Sequence, residues 1–120
     1  MKIDLKTTQA ANEVADSLRN TGKLPSQYVV KQVAEDSGWT VGKALGNYVP
    51  GGQIGGDIFE NTTHVLPSIQ GRVWYEADVG LANTVSRAKQ DGTRLLYSND
   101  GLLYITTDHY KTVAPVGTWK

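Results

Sequence analysis

The chain contains the stretch Thr93-Arg-Leu-Leu-Tyr-Ser-Asn-Asp-Gly-Leu-Leu-Tyr-Ile-Thr-Thr-Asp108, in which a polar turn separates two apolar runs. The runs cover 93–98 and 102–108 and include the aromatic and β-branched side chains that favour strands. The turn Asn99-Asp-Gly101 places a glycine where a hairpin favours a positive φ angle. This stretch therefore predicts a β-hairpin in the C-terminal part of the chain.

A longer strand-rich region precedes the hairpin. Apolar and polar side chains alternate over 72–79, which predicts a strand with two distinct faces. One face of that strand carries Arg72, Trp74, Glu76 and Asp78. An earlier strand is indicated around 54–59, and a last short strand is predicted over 111–114.

The N-terminal part has a different period. Apolar residues recur at helical spacing over about 9–20, and Gly22 and Pro25 then end the predicted amphipathic helix. A second short helix fits 30–37, and a weaker turn fits 43–48. Helices followed by antiparallel strands indicate an α+β fold. The length of 120 residues suits one domain, taken as 1–120.

Composition narrows the class of protein. Hydrophobic residues make up 39% and charged residues 20%, as in an ordinary folded protein. No apolar run approaches the roughly 18–20 residues that span a bilayer, so no membrane partner is expected. There is no cysteine, which excludes disulfides and thiol chemistry. A net charge of zero is mild evidence against a nonspecific nucleic-acid binder, which is usually basic.

The local distribution of charge is more informative than the total. Cations and anions are interspersed between residues 72 and 94. The cations are Arg72, Arg87, Lys89 and Arg94, and the anions are Glu76, Asp78 and Asp91. They form either a cationic site in a neutral protein or a solvated face of mixed charge.

Two titratable residues suit acid–base chemistry. Glu76 lies in the middle of a predicted strand, where glutamate is unfavourable, so it is either a general base or the partner of Arg87 or Arg94 in a cross-strand ion pair. His109 follows Asp108 and is one of 2 histidines. An imidazole titrates near neutral pH and suits a general acid, although a lone histidine is more often structural. The two histidines, without cysteine, make a poor metal site.

Several motifs occur in the order typical of one family. They are Lys23-Leu-Pro25, Gly38-Trp39, Gly55-Gly-Asp-Ile-Phe59, Arg72-Val-Trp-Tyr-Glu-Ala-Asp78, Arg94-Leu-Leu-Tyr-Ser98 and Thr106-Thr-Asp-His-Tyr110. In this order, over about residues 10–112, the chain resembles the small bacterial guanyl-specific ribonucleases typified by barnase and binase. The resemblance implies an α+β microbial ribonuclease fold with N-terminal helices on an antiparallel sheet.

The resemblance also implies roles for the two titratable residues. In the family, the glutamate that matches Glu76 removes the proton from the ribose 2′-hydroxyl. The histidine that matches His109 protonates the departing 5′-oxygen, and the tyrosine that matches Tyr110 stacks on and positions the substrate.

Cations complete the implied catalytic set. Lys31 and Arg94 match a family lysine and arginine that stabilise the charge of the phosphorane. A second family arginine lies before Arg94, but this chain carries extra residues there, so Arg87 is the predicted match and Lys89 the competitor. The resemblance makes Asp78 the carboxylate that holds these arginines in place.

The loop that reads the base departs from the family. Family members have Ser-Asn-Arg-Glu after the matching phenylalanine, and the glutamate of that run pairs with the guanine edge. Here Phe59 is followed by Glu60-Asn-Thr-Thr63. Phe59, Asn61 and Tyr110 are predicted to shape the nucleotide pocket, and Arg72 is predicted to bind substrate as well. Glu60 is a shifted substitute for the missing carboxylate. His64 is interpreted as a surface residue, and guanine preference stays open.

The predicted function is metal-independent endoribonuclease activity on single-stranded RNA, with a 2′,3′-cyclic phosphate as product and no cofactor. The alternative is a binding module that keeps the ribonuclease scaffold and uses its cationic groove to hold RNA or protein. The altered base loop and zero net charge motivate the alternative. The retention of Glu76 and His109 argues against it.

The family context implies partners. Its members are secreted nucleases held in check by a dedicated inhibitor, and related domains are the toxic part of larger delivery proteins. The start of this chain lacks a signal-peptide pattern, which fits either a trimmed secreted enzyme or a toxin domain delivered into target cells. A monomer is expected. An acidic immunity protein is expected to cover a surface formed by Lys31, Arg72, Arg87 and Arg94.

Overall fold

The computed structural model describes residues 5–120 of the protein. The helices are α1, Leu5–Thr21, and α2, Lys31–Asp36. The strands are β1, Tyr28–Val29; β2, Gln53–Phe59; β3, Trp74–Asp78; β4, Arg94–Ser98; β5, Leu102–Thr106; and β6, Ala114–Thr118. Short 3₁₀ turns lie at Leu45–Asn47 and Arg87–Lys89. The predicted α+β fold class is confirmed.

The strands form one 6-stranded sheet in the order β1-β2-β3-β4-β5-β6. β1 and β2 run parallel and are joined through α2, whereas the remaining neighbours are antiparallel. The predicted hairpin is β4 and β5, in which Leu95 pairs with Ile105 and Tyr97 with Leu103. Its turn closes with a bond from the Gly101 amide to the Ser98 carbonyl (3.1 Å), and Gly101 has a φ of 106°.

Helix α1 covers one face of the sheet. Its buried residues Val14, Ala15 and Leu18 pack on Ala77, Val79, Leu95, Tyr97, Leu103 and Ile105. The helix begins at Leu5 and not near residue 9 as predicted. Thr7 is buried and lies against the Gly80 turn, where a Cβ would collide with it. This contact stabilises the first turn of the helix, whose residues lack the helical spacing of apolar side chains seen further along. No helix within 5–120 is long and apolar enough to cross a membrane.

The last strand lies later than predicted. β6 covers Ala114–Thr118 and not 111–114. Residues after β5 first form a tight loop, because the Asp108 carboxylate accepts hydrogen bonds from the amide (2.9 Å) and the hydroxyl (2.6 Å) of Thr112. The chain is therefore free to pair with β5 only from Ala114, which lies opposite Ile105.

The face of the sheet opposite α1 holds the polar residues of β3. Cross-strand partners share a face, and β3 pairs with β4 as Trp74 with Ser98, Glu76 with Leu96 and Asp78 with Arg94. Trp74 and Leu96 belong to a separate apolar cluster with Leu66. The predicted common face of Trp74, Glu76 and Asp78 is confirmed.

Candidate active site

The register of β3 and β4 decides which charges meet. Arg94 lies directly opposite Asp78, whereas Leu96 lies opposite Glu76. Arg94 Nε is 2.9 Å from Asp78 Oδ1. The alternative prediction, an ion pair of Glu76 with Arg87 or Arg94, is therefore wrong. It failed because both arginines pair with the carboxylate two residues further along the same face.

Asp78 holds two arginines at once. Arg87 donates to it through both Nε (2.7 Å to Oδ2) and Nη2 (2.8 Å to Oδ1), while Arg94 approaches Oδ1. Asp78 is 2% exposed and Arg94 is 5% exposed. Such burial excludes the solvated mixed-charge face as a description of these residues. A single carboxylate thus fixes the positions of two guanidinium groups.

The two arginines respond differently to this environment. Burial lowers the pKa of Arg87, but the hydrogen bonds and charge of Asp78 outweigh burial, so the pKa rises. For Arg94, burial is the largest influence and the charge of Arg87 adds to it, so its pKa falls despite Asp78. Arginine stays protonated at neutral pH in either case. The pair therefore carries more positive charge than Asp78 neutralises.

Glu76 has its own partners on the same face. Lys31 Nζ is 3.7 Å from Glu76 Oε1, and the Tyr110 hydroxyl donates to Oε2 at 3.2 Å. Burial, followed by the charge of Glu76, raises the pKa of Tyr110, so its hydroxyl keeps the proton that it donates. Glu76 is 9% exposed. The carboxylate is thus held by two donors, Lys31 and Tyr110.

Lys31 reaches this site because it is the first residue of α2. The preceding residue, Val30, cannot cap the helix with its side chain. Asp57 of β2 does so instead, by accepting a hydrogen bond from the Lys31 amide (3.0 Å). Asp57 also lies beside Glu76 in the sheet. Sequence reasoning assigned no role to Asp57, although it stands in the Gly55–Phe59 motif.

His109 and Tyr110 lie in the tight loop after β5. Both have left-handed backbones, with φ angles of 53° and 72°, which cost energy in residues other than glycine. The Thr106 hydroxyl donates to the Thr112 carbonyl (2.7 Å) and accepts from the Tyr110 amide (3.0 Å). With the bonds to Asp108, this network holds the loop in the strained conformation.

Asp108 should contribute stability that depends on pH. Hydrogen bonds from the Thr112 side chain and backbone lower its pKa to about 2, against about 3.9 for an unfolded aspartate. Because the pKa of Asp108 is lower in the folded protein, its carboxylate stabilises the fold at pH values above the unfolded pKa. This contribution is lost as the pH falls towards 2. Asp108→Asn should therefore be less stable than the natural chain at pH 6, and the gap should close between about pH 4 and 2.

Urea unfolding midpoints across this pH range measure that gap. Asp16→Asn, at an exposed position of α1, is the matched control. A gap for Asp108→Asn that stays constant from pH 6 to pH 2 would contradict the prediction.

A cleft of about 330 Å³ brings His109 to the arginines. It is lined by Val41, Gly42, Arg87, Ala88, Gln90, Gly92, Arg94 and His109. Lys89 lies outside this set, is exposed, and lines a separate depression beside Thr7 and Asp91. The structure therefore places Arg87, not Lys89, in the cleft.

Segment 82–90, which carries Arg87, is held by hydrogen bonds among its own residues and by hydrogen bonding to Gly42. Gln90 accepts from the Ala82 amide (2.7 Å) and donates to the carbonyls of Ala82 (2.8 Å) and Val85 (3.2 Å). The Ser86 hydroxyl donates to the Gly42 carbonyl at 2.6 Å. Sequence reasoning missed these bonds, because the partners are joined by loop geometry and form no recognisable motif.

A second cleft, of about 290 Å³, lies where β2 ends and β3 begins. It is lined by Ile58, Phe59, Glu60, Asn61, Ser68, Arg72, Val73 and Trp74. The Phe59 ring stacks on Tyr110, with centroids 4.3 Å apart and planes 18° apart. This stacking joins the second cleft to the one that holds His109.

The polar residues of the second cleft differ in what they contact. The Asn61 side chain bonds to the amide (3.0 Å) and carbonyl (2.9 Å) of Leu66, so it braces its own loop. Arg72 binds Asp100 (2.9 Å) and the Pro67 carbonyl (3.1 Å). Glu60 is exposed at the rim. His64 is also exposed and is not among the residues that line this cleft.

Together these groups place two arginines near a carboxylate and an imidazole. Tyr110 links the two, since its hydroxyl contacts Glu76 and its ring is 5.2 Å from the ring of His109. Within residues 5–120, histidine, aspartate and glutamate side chains form no group of three that could hold a metal ion. The arrangement can bind a phosphate group and exchange protons on either side of it.

Comparisons with known proteins agree with this geometry. A family model described as ribonuclease matches residues 11–116. A protein named ribonuclease from Heyndrickxia coagulans is 43% identical over 104 residues, which cover 86% of this chain and 92% of that protein. Ribonucleases from Bacillus intermedius and Bacillus pumilus are each 44% identical over 100 residues, or 82% of this chain.

The match spans 59% of the length of each of the two Bacillus proteins. The family model nevertheless covers most of the present chain, and the Heyndrickxia protein aligns over nearly its full length. The motifs that carry the resemblance, between residues 23 and 110, lie within the range that the family model matches. The chain therefore belongs to the microbial ribonuclease family typified by barnase and binase.

Proposed function

We propose that this protein is an endoribonuclease that cleaves single-stranded RNA by transphosphorylation and requires no metal ion. The observation that carries the proposal is the shared cleft. Arg87, Arg94 and His109 line it together, and Tyr110 joins His109 to Glu76. Family membership independently supports an activity on RNA.

In the first step, Glu76 takes the proton of a ribose 2′-hydroxyl. The 2′-oxygen forms a bond to the adjacent phosphorus, the bond from phosphorus to the 5′-oxygen breaks, and His109 protonates that oxygen. A 2′,3′-cyclic phosphate results. In the slower second step the roles are exchanged. His109 takes a proton from water, the water oxygen forms a bond to phosphorus, the bond from phosphorus to the 2′-oxygen breaks, and Glu76 protonates that oxygen.

Cations stabilise the charge that develops on the nonbridging oxygens. Arg87 and Arg94 are held by Asp78, so they are in place before the substrate arrives. Preorganised charge of this kind avoids the cost of reorienting groups during the reaction. Lys31 contacts Glu76 and is the more exposed member, with 38% of its side chain accessible.

Base recognition is proposed for the second cleft. Phe59 supplies an aromatic wall, and Asn61 shapes the loop without presenting its amide to the base. Glu60 is the exposed carboxylate at the rim of that cleft. Its two oxygens suit the paired N–H donors of a guanine edge, so Glu60 is the residue on which any guanine preference depends.

The test is cleavage of four dinucleotides, each a different base followed by adenosine, with EDTA present and product masses measured. We expect a 2′,3′-cyclic phosphate from at least one of them. The matching deoxydinucleotides should remain uncut because they lack the 2′-hydroxyl nucleophile. Cleavage of the deoxy substrates, or abolition of activity by EDTA, would overturn the mechanism.

Two other outcomes are informative. Cleavage of long RNA without any dinucleotide cleavage would mean that the changed 60–63 loop favours extended backbone contacts over base choice. Binding without cleavage of any RNA would favour the binding module. Where the dinucleotides are cleaved, replacing Glu60 with glutamine should alter the ranking of the four bases, and an unchanged ranking would contradict a contact of Glu60 with the base.

An acidic inhibitor fits the same surface. The cleft contains Arg87 and Arg94, which share the single carboxylate of Asp78, and Lys31 lies beside Glu76. A protein with complementary carboxylates would block substrate access there. We propose such a partner for the producing cell, whether the ribonuclease is secreted or forms the toxic domain of a delivered protein, and we expect the ribonuclease itself to be monomeric.

A further inference from the structure

Gly92 lies against the backbone of His109. Its carbonyl accepts a hydrogen bond from the His109 amide at 3.0 Å. A Cβ added at Gly92 would lie 2.8 Å from His109 Cα and 2.9 Å from His109 N, and nearer still to His109 Cβ. Contacts this close are not tolerated between unbonded atoms. Since two of these atoms belong to the backbone, a change of rotamer cannot relieve the collision.

The position of the His109 ring depends on that backbone. The ring is exposed, so a surrounding core does not hold it. The residue is left-handed, with a φ of 53°. The Thr106–Asp108–Thr112 network supports one side of its loop. Gly92 closes the other side, two residues before Arg94 enters β4.

We propose that Gly92 is a positioning residue for the general acid. The missing side chain lets the segment before β4 approach the loop after β5, so that the imidazole faces the cleft that holds Arg87 and Arg94. The inference rests on the proposed function. It concerns the acid and not the base, because Glu76 lies on β3 and has a partner, Lys31, outside the loop that carries His109.

The test compares two substrates with the Gly92→Ala variant. In a dinucleotide the leaving group is a ribose 5′-oxygen, which needs a proton. In a nucleoside 3′-(4-nitrophenyl phosphate) the bond from phosphorus to the phenolic oxygen breaks and a stable phenolate leaves without one. Gly92→Ala should slow dinucleotide cleavage by about 10- to 100-fold, as for a catalytic group misplaced by about 1 Å. It should change cleavage of the aryl ester by less than about threefold.

Three further variants complete the design. Gly22→Ala measures backbone strain alone, because Gly22 has a φ of 72° but nothing within 4 Å of an added Cβ. It should not change the ratio of the two rates. His109→Gln removes the acid altogether, so it gives the upper limit for the ratio of the aryl-ester rate to the dinucleotide rate. Gly92→Ala combined with His109→Gln should be no slower than His109→Gln alone, because both changes act through the same group.

Equal slowing of both substrates by Gly92→Ala, or slowing of neither, would overturn the positioning role. Failure of the proposed function would look different: the natural chain would cleave neither substrate, or His109→Gln would leave the ratio unchanged. If Gly92→Ala does not fold, adding His109→Gly removes the nearest of the three colliding atoms and lets the backbone of residue 109 move away from the other two contacts. Folding should then return, and the role is overturned if it does not.

Discussion

Replacing Glu76 with glutamine should lower RNA cleavage by about 10²- to 10⁴-fold, the usual contribution of a general base. Glutamine has nearly the same shape, and its carbonyl oxygen still accepts the Tyr110 hydroxyl, which lies 3.2 Å from the present carboxylate. The change therefore removes basicity and keeps the packing. Single-turnover rates with a cleavable dinucleotide measure the effect, and circular dichroism checks that the fold is kept.

The matched control is Glu35→Gln, an exposed glutamate on α2. Its activity should stay within about twofold of the natural chain, since exposed substitutions away from a site have small effects. If Glu76→Gln were as active as Glu35→Gln, Glu76 would be a structural partner of Lys31 and Tyr110, not the base.

His109→Gln should give a loss of similar size, and the chain supplies an unusually close control. His64 is also exposed and left-handed, with a φ of 56° against 53° for His109. His64→Gln thus makes the same side-chain change on the same kind of backbone, but outside the cleft that contains the arginines. It should leave activity nearly unchanged. Similar losses in both variants would remove His109 from the mechanism.

The pH profile separates the two roles. The natural chain should show a bell-shaped profile, because cleavage needs a base without its proton and an acid with one. Residual activity of Glu76→Gln should lack the acidic limb, and that of His109→Gln should lack the alkaline limb. A general loss of stability would lower the whole profile and leave both limbs in place.

The second large effect is expected for Asp78→Asn and concerns stability. Asp78 is the buried anion between Arg87 and Arg94, and Arg94 is 5% exposed. An amide cannot neutralise them, and its NH₂ group would face one of the arginines. Removing one partner of a buried ion pair costs about 3–5 kcal/mol of unfolding free energy. Urea unfolding at neutral pH should reveal this loss.

Two further variants test whether the loss of stability comes from the buried arginines. Asp16→Asn breaks the exposed pair of Asp16 with Arg19 on α1 and should cost less than about 1 kcal/mol. Adding Arg94→Met to Asp78→Asn removes the uncompensated buried cation, so part of the lost stability should return. If Asp78→Asn cost no more than Asp16→Asn, Asp78 would not be what holds the two arginines.

Local patterns were sufficient for much of the fold. The Asn-Asp-Gly turn and its flanking runs predicted β4 and β5 almost to their ends. Alternation over 72–79 placed Trp74, Glu76 and Asp78 on one face, as β3 shows. These features depend on neighbours within a few residues, through turn geometry and the two-residue period of a strand. Such short-range preferences can be read directly from the chain.

Contacts between distant segments could not be derived in this way. Whether Arg94 faces Glu76 or Asp78 depends on the register of two strands, and a shift of two residues would place Arg94 opposite Glu76. Lys31 is near Glu76 because α2 crosses from β1 to β2 and is capped by Asp57. The resemblance to a family identified these residues as a catalytic set. Their spacing in the sequence did not by itself predict which of them lie in contact.

The sequence on its own thus established the α+β class, the hairpin and the polar face of β3, because each follows from local backbone preferences. Tertiary structure decided that Asp78 holds both arginines, that Arg87 and not Lys89 enters the cleft, and that Gly92 lies against His109. Those outcomes depend on strand register, loop closure and close backbone approach, which are set only when the segments pack together.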